Sequence, residues 1–167
     1  ESGVFENGDS VGGRFSYADT DGYRDNSGTK HQTGFLDAAW QGQRSSLKLV
    51  SFFGEVETQL AWLAVEPEIL QVDRTFNPLD EEERDNFRQN FAQLKYTRAL
   101  RNDTLLTASL YYNGADGWFR LWDDPVVQND LLEFSIDGHF IGSMVTLSRR
   151  QERLRTTWGL HPNDVRR

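Results

Sequence analysis

Three aspartates lie in one short polar stretch, Asp19, Asp21 and Asp25, and clustered carboxylates are typical calcium ligands. A calcium loop of the EF-hand type needs oxygen ligands at its first, third and fifth positions and glycine at its sixth. Neither Asp19 nor Asp21 as the first position satisfies that pattern. Gly22 and Asn26 favour turns. We therefore interpret this stretch as an acidic turn in solvent.

The histidines do not have the spacing of a metal or catalytic site. His31, His139 and His161 are far apart in the sequence. No Ser-His-Asp or Cys-His arrangement has local support, and the adjacent Asp123 and Asp124 are typical of a solvated loop. We expect no enzymatic activity, no metal and no cofactor.

Tryptophan and arginine occur together in the segments "AWLAVEP" and "DGWFRLWDDP", with one more arginine between them. Such side chains stack on a bound ligand and donate hydrogen bonds to it. Alternatively, the aromatic residues belong to a membrane-interface girdle or pack the loops together. The predicted ligand-binding residues are Trp62, Arg74, Trp118, Arg120 and Trp122.

Composition excludes several classes of protein. The chain has 167 residues and no cysteine, so it is neither a disulfide scaffold nor a thiolate metal protein. The net charge of −8 and the scattered cations argue against a nucleic-acid partner. No apolar run approaches the ~18 residues of a transmembrane helix, but a barrel strand needs only ~9–11 residues with one apolar face. The 13% aromatic content favours such a barrel.

Period-two alternation predicts seven strands. They are 11–19, 33–41, 47–57, 89–99, 104–113, 139–149 and 153–160. The pattern places Leu94 and Leu110 on an apolar face and Lys95 and Ser109 on a polar one. It is imperfect at Lys48, where either a bulge intervenes or that face meets a partly apolar environment.

The connections between these strands are of two sizes. Short ones at 5–10, 41–46, 99–104 and 148–153 alternate with long ones at 20–32, 58–88 and 114–136. Antiparallel strands joined in this way place the tight turns at one end of the sheet and the long loops at the other. This asymmetry is typical of outer-membrane barrels.

The segment "PLDEEERDNFRQNFAQL" fits either a helix or a strand over Leu79–Phe91. Phe87, Phe91 and Leu94 have helical spacing, and acidic residues follow a proline as at a helix start. We expect helical structure up to about Phe87 and a strand from Gln89. The segment "VEPEILQVD" is compatible with a further helical turn in the same loop.

Two long segments resemble the middle of the barrel of TonB-dependent outer-membrane receptors. They are "GRFSYADTDGYRDNSG" and "SLKLVSFFGEVETQLAWLAVEPEILQVDRTFNP". The resemblance lies in Ser16, Asp21, Gly22, Tyr23 and Asp25 of the first segment. In the second it lies in Thr58, Ala61, Trp62, Asp73, Arg74, Thr75 and Asn77. Glu55 and "DGWFRLWDDP" depart from the family pattern.

The resemblance implies that residues 1–167 are part of an all-β, antiparallel, up-and-down transmembrane barrel of roughly 22 strands, without its plug domain and TonB box. The implied partners are the TonB complex through the missing plug, outer-membrane lipid and lipopolysaccharide, and a small nutrient ligand. The implied location is the bacterial outer membrane.

The expected function is therefore binding and TonB-driven import of a scarce nutrient. The nutrient could be a ferric siderophore, haem, cobalamin or a glycan. Two alternatives are a soluble β-sandwich or propeller fragment that acts as a carbohydrate-binding module, and an unplugged porin-like barrel.

Overall fold

The computed structural model describes residues 2–124, 127–128 and 130–166. Almost all of its regular structure is β-strand. The strands are β1 (Ser2–Val4), β2 (Ser10–Thr20), β3 (Thr29–Gln41), β4 (Ser45–Gln59), β5 (Arg84–Ala99), β6 (Thr104–Trp122), β7 (Leu131–Gln151), β8 (Leu154–Leu160) and β9 (Asn163–Arg166). One short helix, α1 (Pro67–Val72), lies between β4 and β5.

The strands form one antiparallel, up-and-down sheet in the order β1 to β8. The described strands leave this sheet open, because pairing begins at β1 and ends on the far side of β7 without returning to β1. All seven predicted strands are present. The prediction of an all-β, up-and-down sheet is therefore confirmed.

Strands β8 and β9 continue one line along the edge of β7. Val145 pairs with Leu160 and Gly142 pairs with Asn163, which is the same register on both sides of the break. Pro162 has no backbone N–H to donate to the ladder, although its carbonyl still accepts from Ser143 N at 3.0 Å. The proline thus divides an otherwise continuous edge strand.

Tight turns and longer connections alternate, as the sequence predicts. The tight turns 42–44, 100–103 and 152–153 lie at one end of the sheet, together with 5–9. The connections 21–28, 60–83 and 123–130 join strands at the opposite end. These connections are shorter than predicted because the strands extend well beyond the apolar stretches that revealed them.

The predicted helix near residue 79 is wrong. β5 begins at Arg84, and no helix lies within Leu79–Phe91. Pairing of Phe87 and Phe91 with β4 and β6 overrides the local helical spacing. The additional helical turn is present as α1.

No bulge interrupts β4. Its pairing with β5 runs in one register from Ser45 opposite Arg98 to Gln59 opposite Arg84. Lys48, Val50 and Phe52 therefore share a face. The bulge interpretation is therefore wrong, and the other interpretation, that this face meets a partly apolar environment, stays a prediction.

The two faces of the sheet carry different residues. Directly paired residues point to the same side, so each row of partners belongs to one face. We call face A the side that carries Leu49, Leu94 and Leu110, and face B the side that carries Val50, Gln93 and Tyr111.

The sheet has no second layer. Leu79, in the 60–83 connection, is the only hydrophobic side chain of the described residues that is buried. Leu110 on face A is 53% exposed and Ile136 on face B is 58% exposed. No helix in the described part of the chain is long and apolar enough to cross a membrane.

Candidate functional site

The three longer connections are joined to one another by buried polar side chains. Asn77 is 8% exposed, and its Nδ2 donates to the carbonyls of Asp25 (2.8 Å), Asn26 (3.2 Å) and Leu60 (2.8 Å). Asp25 N also donates to Thr75 O at 2.8 Å. These bonds tie the connections 21–28 and 60–83 together.

Arg24 makes a second link between the same two connections. Its Nη1 donates to the carbonyls of Ala61 (2.9 Å) and Leu63 (3.1 Å), and its Nε donates to Phe76 O at 3.2 Å. The guanidinium fork suits several acceptors at once. Sequence reasoning did not select Arg24, because nothing in the local pattern indicates which carbonyls a loop arginine will meet.

Two acidic residues link the third connection to the second. Glu83 is 2% exposed and accepts from Asp80 N (3.1 Å) and Trp122 N (3.3 Å). Asp80 Oδ2 accepts from Trp122 Nε1 (3.0 Å) and Gln128 Nε2 (2.7 Å). The predicted ligand-binding residue Trp122 therefore makes structural hydrogen bonds at the end of β6.

Trp118 and Arg120 lie on β6 with Trp122, on face A. The Arg120 guanidinium carbon is 4.5 Å from the centroid of the Trp118 ring, a cation–π contact. Arg120 Nε also donates to Glu133 Oε2 at 2.7 Å. The structure thus brings these three predicted residues together, with the polar groups of Arg120 and Trp122 already engaged.

Trp62 and Arg74 are separate from that group. Both are exposed residues of the 60–83 connection. No hydrogen bond, ion pair or ring contact of the described residues joins either of them to Trp118, Arg120 or Trp122.

An aromatic cleft of about 280 Å³ opens at the long-connection end of the sheet. Its lining includes Phe87, Phe119, Phe134 and Ile136 on face B, and Trp118 also borders it. The Phe119 and Phe134 rings stack at 4.9 Å with 14° between their planes. This cleft can bind an apolar or aromatic group by ring contact.

The cleft depends on Gly117, which pairs with Phe87. A Cβ on Gly117 would lie 2.5 Å from Asn86 O and 3.0 Å from Phe87 Cα, so no side chain fits there. Asp85 also lines the cleft, and its Oδ1 is buried and has no hydrogen-bond partner among the described residues. The sequence analysis missed this cleft, because its residues come from three strands whose register had to be known.

A polar cleft of about 310 Å³ lies beside the 21–28 connection. Its lining includes Asp19, Lys30, Glu57, Gln59 and Arg84, so it offers charges of both signs and an amide. Such a cleft can bind a polar ligand by hydrogen bonds and ion pairing. The predicted acidic turn contributes Asp21 to it.

The acidic and histidine residues do not assemble a metal centre. Within the described residues, no group of three or more His, Cys, Asp or Glu side chains could hold an ion. His139 lies beside the Tyr112 ring, and His161 is hydrogen-bonded to the Tyr111 hydroxyl.

In the 60–83 connection, Asp73 stabilises its own turn. Its Oδ1 accepts from the Thr75 hydroxyl (2.8 Å) and from Thr75 N (2.9 Å). These bonds favour the carboxylate and lower the pKa of Asp73, the hydroxyl bond most strongly.

No protein-family model matches this chain, and no curated protein matches it significantly.

Proposed function

We propose that this sheet is a segment of the wall of a transmembrane β-barrel in a bacterial outer membrane, with face A toward lipid and face B toward the lumen. We further propose that the barrel is a TonB-dependent receptor that binds and imports a scarce nutrient such as a ferric siderophore. The observation that carries the proposal is an uncharged band on face A that crosses β2 to β7.

Four successive rows of partners on face A contain no Asp, Glu, Lys or Arg on β2 to β8. Two of these rows continue onto the edge strand β9, where they end at Asp164 and Arg166. The large apolar members of the four rows are Val11, Phe15, Leu36, Trp40, Leu47, Leu49, Phe53, Leu94, Tyr96, Leu110, Tyr112, Ile141, Val145 and Leu160. Most of these side chains are more than one-third exposed. An apolar patch of this extent needs a cover, and lipid is a cover that requires no second protein layer.

The band ends abruptly on the side of the long connections. The next row on face A reads Tyr17, Gln32, Glu55, Arg88, Asp116 and Asp137. In it, Arg88 Nε lies 3.2 Å from Glu55 Oε1 and 3.9 Å from Asp116 Oδ2. Charged side chains are costly in the hydrocarbon region of a bilayer and much less so at its edge. A change from an uncharged band to an ion-paired row is therefore expected at a membrane–water boundary.

Aromatic side chains flank the band. Trp40, Tyr96 and Trp158 lie toward the tight turns, and Phe15 and Tyr17 lie toward the long connections. Barrel proteins carry aromatic girdles at both interfaces. The four rows run from Ala108 to Gly114 on β6, a span of seven residues, and the next row places Leu106 opposite Arg98 of β5. With Leu106 included, the uncharged stretch of β6 itself reaches nine residues, within the ~9–11 residues of a transmembrane strand.

The two segments that resemble the receptor family are bonded to each other. Asp25 from the first meets Thr75 and Asn77 from the second. The polar cleft lies on face A. The aromatic cleft lies mainly on face B, toward the proposed lumen, and supplies groups that a nutrient ligand would contact. These features support the receptor proposal over an unplugged porin.

The behaviour of residues 1–167 expressed alone tests the membrane proposal. Two open edges and two exposed faces should make this fragment aggregate in buffer and depend on detergent. A soluble monomer with a cooperative thermal transition in plain buffer would contradict the proposal and favour the carbohydrate-binding module.

Growth of a deletion strain tests the import function. With iron, haem, cobalamin or a glycan each made limiting in turn, the deletion should impair growth on one of them, and the wild-type gene should restore it. Phe134→Ala in the aromatic cleft should restore growth less well than the matched Phe53→Ala on face A. Normal growth of the deletion strain under all four conditions would contradict the proposal.

A further inference from the structure

Two of the three lysines in this chain lie side by side on face B. Lys48 of β4 is directly opposite Lys95 of β5. The third, Lys30, lies on face A, with its Nζ 3.9 Å from Asp19 Oδ2. The register thus pairs two like charges while the remaining lysine has an acidic partner.

This arrangement is unfavourable for an uncovered sheet. Like charges directly opposite each other in a sheet are destabilising. No acidic side chain of the described residues forms an ion pair with Lys48 or Lys95. On face B, Asp37 is opposite Val50, and its Oδ1 occupies the space that a side chain at Gly12 would fill, so it leans toward β2.

A buried hydroxyl next to the two lysines also lacks a partner. Ser109 of β6 is directly opposite Lys95 and is 7% exposed. Its Oγ makes no hydrogen bond with the described residues. Burying such a group without a partner is destabilising. Both lysines are exposed, and one negatively charged group placed on them can accept hydrogen bonds from both ammonium groups and from the neighbouring hydroxyl.

We propose that Lys48, Lys95 and Ser109 form a docking site for the carboxylate of an Asp or Glu on a polypeptide segment that covers face B near the tight turns. Gln93, Thr97 and Thr107 surround the site on the same face and can bond the backbone of such a segment. The half-buried Val50 supplies an apolar contact. This site is independent of what covers face A.

The sign of a stability change tests this docking site. In the full-length protein, Lys95→Gln leaves the docked carboxylate without a cation and should lower Tm by about 2–4 °C or more. On an uncovered face the same substitution removes repulsion, so an unchanged or raised Tm would overturn the proposal. The matched control Lys30→Gln removes an exposed pair and should change Tm by less than about 1 °C.

Zero-length carbodiimide cross-linking of the wild-type full-length protein identifies the occupant without any variant. Lys30–Asp19 provides the positive control within the same chain. Lys48 or Lys95 should become linked to an acidic residue that lies outside this sheet, and mass spectrometry of the linked peptide identifies it. A product that joins these lysines only to Asp37, or no product beside the Lys30–Asp19 link, would overturn the proposal. If the full-length protein proved to be soluble, with face A covered by other protein segments, the membrane proposal would be refuted. The expected cross-links of Lys48 and Lys95 would not change.

Discussion

At the scale of single residues, Asn77 joins two of the longer connections through one buried side chain. One amide group serves three carbonyls from two connections. Asn77→Ala leaves these carbonyls without their donor, at a cost of about 1–3 kcal/mol. We expect hydrogen exchange at the Asp25 and Leu60 amides to accelerate roughly ten- to hundred-fold. Asn7→Ala, in an exposed turn at the other end of the sheet, should leave both rates unchanged, and equal rates in the two variants would contradict the assigned role.

Asp73 gives a pH-dependent prediction. Its folded-state pKa lies below the ordinary value of about 3.9, so its stabilising effect is present above that pH and is lost as pH falls through the folded-state pKa. Thr75→Val removes the hydroxyl bond but keeps the amide bond. We therefore expect the pKa of Asp73 to rise part of the way to its ordinary value, as measured by ¹³C NMR of its carboxyl group. Thr104→Val is the control, and an unchanged Asp73 pKa in Thr75→Val would contradict this explanation.

At the scale of the strand, neighbouring residues of β5 point to opposite faces of the sheet. Leu94 lies on face A and Gln93 on face B. If face A contacts lipid, Leu94→Arg should cost about 2–4 kcal/mol near the bilayer midplane, while Gln93→Arg should be mild. Folding into bilayers, followed by denaturant titration, measures both variants. Equal effects, or a larger effect of Gln93→Arg, would show that the face assignment is wrong.

At the scale of the whole molecule, the membrane proposal and the alternating connections together predict which residues lie outside the cell. Cysteines that replace Asp21, Glu81 and Val127 lie in the longer connections and should react with a membrane-impermeant maleimide on intact cells. Cysteines that replace Gln43, Arg101 and Arg153 lie in tight turns and should react only after the outer membrane is permeabilised. Any cysteine elsewhere in the full-length protein is removed first. If both sets were labelled on intact cells, the strands between them would not cross the membrane, and the membrane proposal would be wrong.

Gly117 shows why the labelling positions in the longer connections cannot be chosen from the sequence alone. The sequence places it in a long loop, but it pairs with Phe87 inside β6. The residues around Asp116 have no clear period-two signal, so the sequence pattern ends before the strand does. Cross-strand pairing, which the local pattern does not contain, extends the strand to Trp122.

The sequence alone determined the positions of the apolar stretches that become strands. It also determined which residues share a face of the sheet and that the tight turns lie together at one end of it. These properties follow from the two-residue repeat of an extended backbone and from local turn formers. Only the tertiary structure decided that Leu79–Phe91 contains no helix, that Asn77 joins two connections, and that Phe87, Phe119 and Phe134 share one cleft. It also decided that Lys48 faces Lys95. Each of these depends on register between segments distant in sequence, and register is fixed by the pairing of whole strands.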